Sequence, residues 1–454
     1  MLDPTTVRED PSRVRKALAD RGAEDVDLDG LLRVDERLRT YTARIERLRS
    51  ERTELHRELG TYVANRETEQ ADAVKARSRE LKADVEQFQE HARELQRDLQ
   101  RRVLELPQLP HEQVPLGVDP RMNVERSRWG VDDRRSVSAR PLTHDELGEA
   151  LGIVDESRAA KTTGEGWQFR TGAGARLERA LVRLASDVAR ERGYVDVVAP
   201  ILAKSASLRG TGQLPRFPER AYRIEGEHTD PYEDTDQWLS PSPAVPVTTM
   251  HANETLAHTA LPLQYQTPGL ATRPVPDDPA DTEWRSWQRQ STTLTLVEFV
   301  EPDTSDDRFD SLGETVETVL RRLTLPYRLL ERCTGALDFE AARQVDVECV
   351  TPAGDTDSDP EIGGGWRSVA SVTNARAFQA RRSAIRYRRE DDSEPYVHTL
   401  TAELALAPLF ATVLEYYQNE DETVTIPDAL RGHVDGQERI EGREPALADA
   451  ATDR

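Results

Sequence analysis

Nine histidines, two cysteines and 84 acidic side chains are the raw material for chemistry in this chain of 454 residues. The histidines are scattered, with no pair spaced to share a metal on one element and no His-Glu-x-x-His helix. Cys333 and Cys349 are too few for a disulfide framework or a four-cysteine zinc site and read as ordinary reduced thiols. A Walker-type phosphate loop and a Gly-x-Ser-x-Gly elbow are both missing. Gly363-Gly364-Gly365, beside an acidic loop, reads as a flexible turn rather than a phosphate cradle. No metal site is expected, and generic motifs leave the function open.

Charge and hydropathy narrow the classes. There are 61 Lys and Arg against 84 Asp and Glu, a formal charge of −23, which excludes a uniformly cationic nucleic-acid-binding coat. No apolar run approaches the length of a membrane span, and the opening MLDPTTVRED lacks a signal-type apolar stretch, so a cytoplasmic protein is expected. Only Lys16, Lys75, Lys82, Lys161 and Lys204 are lysines; the other 56 basic residues are Arg, a bias suited to a high-GC genome or a salt-rich cell.

The elements that must position any site fall into an ordered series. Leu31, Val34, Leu38, Tyr41, Ile45, Leu48, Arg52, Leu55, Leu59 and Tyr62 keep 3-4 spacing, and Val74, Ser78, Leu81, Val85, Phe88, Ala92, Leu95, Leu99 and Val103 nearly repeat it. The polar stretch Ala64 to Gln70 between them predicts the link of an antiparallel helical arm over about 31–106, stopped by Pro107 and Pro110. Residues 31–106 hold 17 basic and 16 acidic side chains. Such a near-neutral, Arg-studded arm could track a phosphate backbone, or be a solvated coiled coil laced with i,i+4 pairs. The division expected is a helical domain over 1–106, a linker over 107–139, an α+β core over 140–435 and a disordered tail over 436–454. In the core, an amphipathic helix Arg176 to Arg192 breaks at Gly193, a strand follows over Tyr194 to Val198, and Pro200 ends it. Acidic stretches at Glu225 to Asp236, Pro274 to Glu283 and Asp355 to Glu361 read as surface loops.

Six ordered blocks go further. They are Met1-Leu2-Asp3-Pro4 with Val14-Arg15, Ala17-Leu18 and Arg21-Gly22; the helical arm; Leu106-Pro107-Gln108-Leu109-Pro110-His111 with Val114-Pro115 and Asn123-Val124-Glu125; Gly210-Thr211-Gly212-Gln213-Leu214-Pro215-Arg216-Phe217; Phe378-Gln379-Ala380-Arg381-Arg382; and Glu415-Tyr416-Tyr417-Gln418. With them the chain resembles seryl-tRNA synthetase, a class II aminoacyl-tRNA synthetase, over nearly its whole length. The resemblance implies an α+β fold: an N-terminal coiled arm that binds tRNA, then an antiparallel sheet flanked by helices. It also implies a homodimer through motif 1, here the helix-strand-proline unit around Gly193.

The same resemblance assigns pocket slots, and this chain departs from most of them. The serine loop falls on Ser242-Pro243-Ala244, keeping the hydroxyl of Ser242 and replacing the ammonium-binding carboxylate by Ala244. In motif 2 the α-phosphate Arg slot is Ala271, beside Thr272, and the Glu slot is Arg273. The adenine-stacking Phe is Ser291 and the serine-binding Glu is Thr295. The Glu-x-Ser-Ser segment becomes Ser368-Val369-Ala370-Ser371, followed by Asn374. Motif 3 becomes Thr401-Ala402-Glu403-Leu404, with Pro408 at its Arg slot, where a proline inside the helix would cost a backbone donor.

Positioned cations and carboxylates carry this chemistry, each worth about 10²–10³ in rate. The expectation is therefore a degenerate relative with no catalytic residue, its slots lost at Ala244, Ala271, Arg273, Thr295, Ser368 and Pro408. It would act by binding tRNA through the arm, or by pairing with an authentic synthetase through motif 1. The alternative is an active serine–tRNA ligase using ATP and Mg²⁺, with Arg273, Arg285 and Arg289 replacing lost cations. A repurposed enzyme for another small acid or nucleotide is a third reading.

Overall fold

The computed structural model describes residues 1–132, 141–224, 236–274, 289–352 and 364–442. It divides into two compact units, one of Leu2–Ala19 with Ala23–Pro107, the other of the remaining residues.

The first unit is built on two long helices, α1 (Leu28–Asn65) and α2 (Thr68–Leu104). Asp27 caps α1, its carboxylate accepting from the Gly30 N–H at 2.8 Å. The predicted seven-residue polar link shrinks to Arg66 and Glu67, because α1 runs on through Ala64 and Asn65 while α2 already starts at Thr68. Arg66 turns the chain in the left-handed region at φ 62°. Ile45, Leu48, Leu81 and Val85 are buried together, with Leu55, Phe88 and Ala92 packed against them. The heptad seam is thus the arm's own small core.

The second unit is organised by an eight-stranded sheet. Its strands in chain order are β1 (Val124–Trp129), β2 (Val195–Asp196), β3 (Leu263–Thr272), β4 (Gln290–Val300), β5 (Tyr327–Glu331), β6 (Arg343–Thr351), β7 (Gly365–Arg376) and β8 (His398–Ala405). Their spatial order is β1-β5-β6-β7-β8-β4-β3-β2, antiparallel throughout except for the short parallel pair β2·β3. Two amphipathic helices, α3 (Gly172–Glu191) and α4 (Ser305–Arg322), and a third that is buried all round, α5 (Leu406–Tyr416), cover one face. Leu177, Leu181, Leu184 and Val188 of α3, Leu312 and Val316 of α4, and Leu409 and Val413 of α5 bury there against Leu294, Leu296, Val347, Val372, Leu400 and Leu404.

Several sequence expectations change in detail. The helix before Gly193 begins at Gly172, and only Val195 and Asp196 of the predicted strand pair with β3. Tyr194 is drawn inward, its hydroxyl donating to buried Glu298, which also receives both ends of the Arg308 guanidinium at 2.8 and 2.7 Å. The stretch read as a linker supplies the edge strand β1, and the Gln108 and His111 amides donate to Phe339 and Ala342 carbonyls at 2.9 and 2.7 Å. The tail read as disordered from 436 includes Arg439–Ile440, which pairs with Val424–Thr425 and buries Ile440. Residues 443–454 lie outside the described residues, as do 225–235, 275–288 and 353–363, which take in most of the predicted acidic loops and Arg285.

Candidate functional site

Period-two alternation sorts the sheet's side chains between the helix-covered face and the opposite one. Along β4, Leu294 and Leu296 enter the helix-covered core, so Ser291, Thr293 and Thr295 point the other way. Register then carries this opposite face across five strands. Thr295 stands opposite Thr267 of β3 and Glu403 of β8; Glu403 stands opposite Ser371 of β7; Ser371 stands opposite Asp346 of β6. A line of hydroxyls and carboxylates, Thr267–Thr295–Glu403–Ser371–Asp346, therefore crosses the middle of the sheet. Thr267 and Thr295 are fully buried, and their hydroxyls have no hydrogen-bond partner among the described residues.

A loop closes over this line. Thr272 holds it from below, its hydroxyl donating to Ser240 O at 3.2 Å and its N–H to Pro241 O at 3.2 Å. The ring of Pro243 lies against Gly269, where an added Cβ would stand 2.7 Å from Pro243 Cγ. Ser242 then donates its hydroxyl to Glu403 Oε1 and accepts from the Ala244 N–H at 3.0 Å. Burial raises the pKa of Glu403; the Ser242 hydrogen bond and the charge of Arg273 oppose the rise.

The far side of the line is an ordered polar group. Arg332 donates to Asp346 Oδ2 at 2.7 Å and to Asp338 Oδ1 at 3.0 Å. Gln344, fully buried, gives its amide to Asp338 Oδ2 at 2.7 Å and to Ser371 Oγ at 2.8 Å. The Asp338 side chain is half exposed, and Arg332 and Gln344 hold its pKa below the ordinary value. Neighbouring Glu340 goes the other way, pushed up to about 7 by burial and by the negative charges of Asp338 and Glu403.

Two of the sequence blocks build the wall beneath. Phe339 meets Phe217 and Phe378 edge-on at centroid distances of 5.6 and 5.7 Å. Arg382 lies over the Phe378 ring and donates to Arg209 O at 3.0 Å. Gln379 accepts from the Thr399 hydroxyl at 2.7 Å. These blocks are therefore scaffold, which explains why they survive whatever the pocket holds.

At the other end, Ala271 stands opposite Ser291, and neither carries a charge. Arg273 follows the strand, its N–H donating to Arg289 O at 2.9 Å, and its positive charge acts on both Glu403 and Asp338. Pro408 is the third residue of α5, so it lies in the first helical turn, where no intrahelical N–H bond is lost. The expected backbone cost is corrected accordingly; the missing cation at that slot remains.

The fold and geometry can be set beside known proteins. The description "Seryl-tRNA synthetase N-terminal domain" matches residues 1–110, and "tRNA synthetase class II core domain (G, H, P, S and T)" matches residues 222–417. A serine–tRNA ligase of Halorubrum lacusprofundi is 46% identical over 98% of this chain and 98% of its own. The chain belongs to the seryl-tRNA synthetase family. A serine–tRNA ligase of Halobacterium salinarum is 43% identical over 99% of both chains, and one of Geobacillus kaustophilus is 37% identical over 97% of this chain and 100% of its own. Among solved structures, the seryl-tRNA synthetase of Pyrococcus horikoshii complexed with ATP superposes with a TM-score of 0.86 at 29% identity, covering 98% of this chain and 100% of its own. The cytoplasmic serine–tRNA ligase of Naegleria fowleri with AMP, at 21% identity, supports the fold with a TM-score of 0.82 over 97% of this chain and 98% of its own.

Within this synthetase frame the slots assigned from sequence separate. Ser242, Ala244, Ala271, Thr295 and Ser371 gather on the face opposite the three helices or on the loop over it, and Arg273 joins them through its charge. Ala402 does not: it faces α3 and α4, beside Ala185, Leu294 and Val319. Val369 and Ala370 are likewise buried in the helix-covered core. Ser368 is exposed and pairs with Glu348, off the central line. Thr272 is occupied in holding the loop. Sequence reasoning passed over Glu403, Asp346, Asp338, Glu340 and Gln344. A signal for Glu403 was present in HTLTAELA, where leucines and Ala402 alternate with Thr399, Thr401 and Glu403.

Proposed function

We propose that the chain acts as a serine–tRNA ligase with a rearranged pocket, joining serine to ATP as seryl-adenylate with release of pyrophosphate and then esterifying tRNA. The observation that carries this reading is the central line itself. A carboxylate and two hydroxyls suited to an ammonium and a hydroxyl stand together at Glu403, Ser371 and Thr295. Full-length similarity to proteins named serine–tRNA ligase supports it, as does the ATP complex of the Pyrococcus relative. On this reading Arg273 takes over the phosphate-facing charge absent at Ala271, ATP enters with Mg²⁺, and the Arg-studded arm meets tRNA. The exposed Val195, Val198, Ile201 and Leu202 beside β2 would be covered by a second copy in a motif 1 dimer. We keep the division into residues 1–106, 107–139, 140–435 and 436–454 as the working domain description. No helix among the described residues is long and apolar enough to cross a membrane, and we place the protein in the cytoplasm.

A second reading, a tRNA- or synthetase-binding relative without adenylation, is favoured by Ala271 and Pro408. No Lys or Arg occurs between Glu390 and Arg431 to offset them. Serine-dependent ATP–pyrophosphate exchange separates the two. Exchange above a no-serine control sustains the ligase. Its absence, with tRNA still bound by the same sample, leaves the binding protein. Absence of both turns the search to a protein partner at motif 1.

A further inference from the structure

We propose that Glu403 is the group that receives the ligand's ammonium in this pocket, with the Ser242 hydroxyl as its internal placeholder. The inference rests on the serine pocket of the preceding reading and adds the residue that determines its specificity. Glu403 sits at the centre of the sheet, in register with Ser371 on one side and Thr295 on the other. Asp346, the other carboxylate of the central line, already has a guanidinium: Arg332 reaches it at 2.7 Å and Asp338 at 3.0 Å, while Glu340, also without one among the described residues, lies off that line. Glu403 takes only a neutral hydroxyl, on Oε1, and no hydrogen bond reaches its Oε2 among the described residues. A half-buried carboxylate with no cation within hydrogen-bonding distance is incompletely compensated, and a cationic ligand completes the pairing.

Two further observations point the ligand to this spot. The hydroxyls of Thr295 and Thr267, on fully buried residues of the same cross-strand line, lack partners and can accept from an ammonium or a ligand hydroxyl. Ser242 is poised to yield. It sits on a loop pinned elsewhere by Thr272 and by Pro243 against Gly269, so its hydroxyl can leave Glu403 while the loop stays in place. With Ala244 contributing no charge from that loop, the selection falls on Glu403. The ligand class is a small primary amine bearing a hydroxyl, such as serine. Its carboxylate lies toward Arg273, the cation that acts on Glu403.

The test uses the full chain at high salt and isothermal titration calorimetry with three probes: L-serine, serinamide and N-acetylserine. L-serine and serinamide, which keep the ammonium, are expected to bind saturably, and N-acetylserine is expected not to bind. Glu403→Gln should weaken L-serine by about tenfold or more, the scale of one charge-assisted hydrogen bond. Ser242→Ala, which frees the carboxylate, should bind L-serine at least as tightly as the unaltered chain. Thermal melts confirm that each variant is folded; if Glu403→Gln is not, Ser242→Ala and the probe series decide. Equal binding of N-acetylserine, an undiminished Glu403→Gln, or no amine binding at all would overturn the assignment. Amine binding without pyrophosphate exchange would instead sink the ligase reading and leave this assignment standing.

Discussion

Glu415 shows how a single side chain can hold a fold together through its charge. It is 1% exposed, and burial alone would raise its pKa. Hydrogen bonds from His144, Arg367 and Thr351 outweigh burial and bring it down to about 2. A depressed carboxylate contributes stability in full above its unfolded pKa of about 4.3. That contribution is lost as pH falls through about 2. Glu415→Gln should therefore cost about 3 kcal/mol in denaturant unfolding at neutral pH, since Arg367 is left buried without its partner. Variant and parent should converge as the pH is lowered through that window. A second residue-scale prediction concerns Ala271. Replacing it by Arg puts a guanidinium opposite Ser291 at the phosphate end. ATP affinity, followed by calorimetry, should rise by about tenfold, the gain of one charged hydrogen bond. No gain would show that ATP does not lie along β3.

Elements differ in how openly the sequence declares them. The arm was legible because each helix repeats its apolar residues over many turns, and its core is made by those same residues, Ile45, Leu48, Leu81 and Val85. Strand β1 is hidden: in VERSRW five of six positions are exposed, so no apolar alternation marks it, and its pairing is settled by a distant partner. Pocket slots were legible only as far as chain order allowed. Counting along motif 3 put Ala402 in the pocket, whereas the strand's two-residue period puts Glu403 there, and one residue is the whole difference between two faces. Two predictions belong to this scale. Leu81→Ala should cost about 2–5 kcal/mol in the arm, read as loss of helical circular dichroism at lower temperature, with the sheet unit's melt unchanged. Gly269→Ala should displace the Pro243 loop, which has no room for a methyl group, and weaken L-serine binding while Ser291→Ala does not.

The whole molecule carries −23 charges, yet the arm is nearly balanced. Self-repulsion is therefore a burden on the sheet unit above all, and it is relieved by salt as the Debye length falls from about 10 Å at 0.1 M to about 3 Å at 1 M. Raising KCl over that range should increase the melting temperature of the sheet unit by several degrees and leave the arm's transition nearly still; equal shifts would contradict the charge division.

The pairing of β1 with β5 sets a timetable for synthesis. The hairpin of α1 and α2 is complete at Leu104, before β1 is made, and its contacts are local enough to form at once. Strand β1 emerges next but cannot find its neighbour until β5 follows about 200 residues later. Through that interval the nascent chain carries a finished helical hairpin ahead of an unpaired edge.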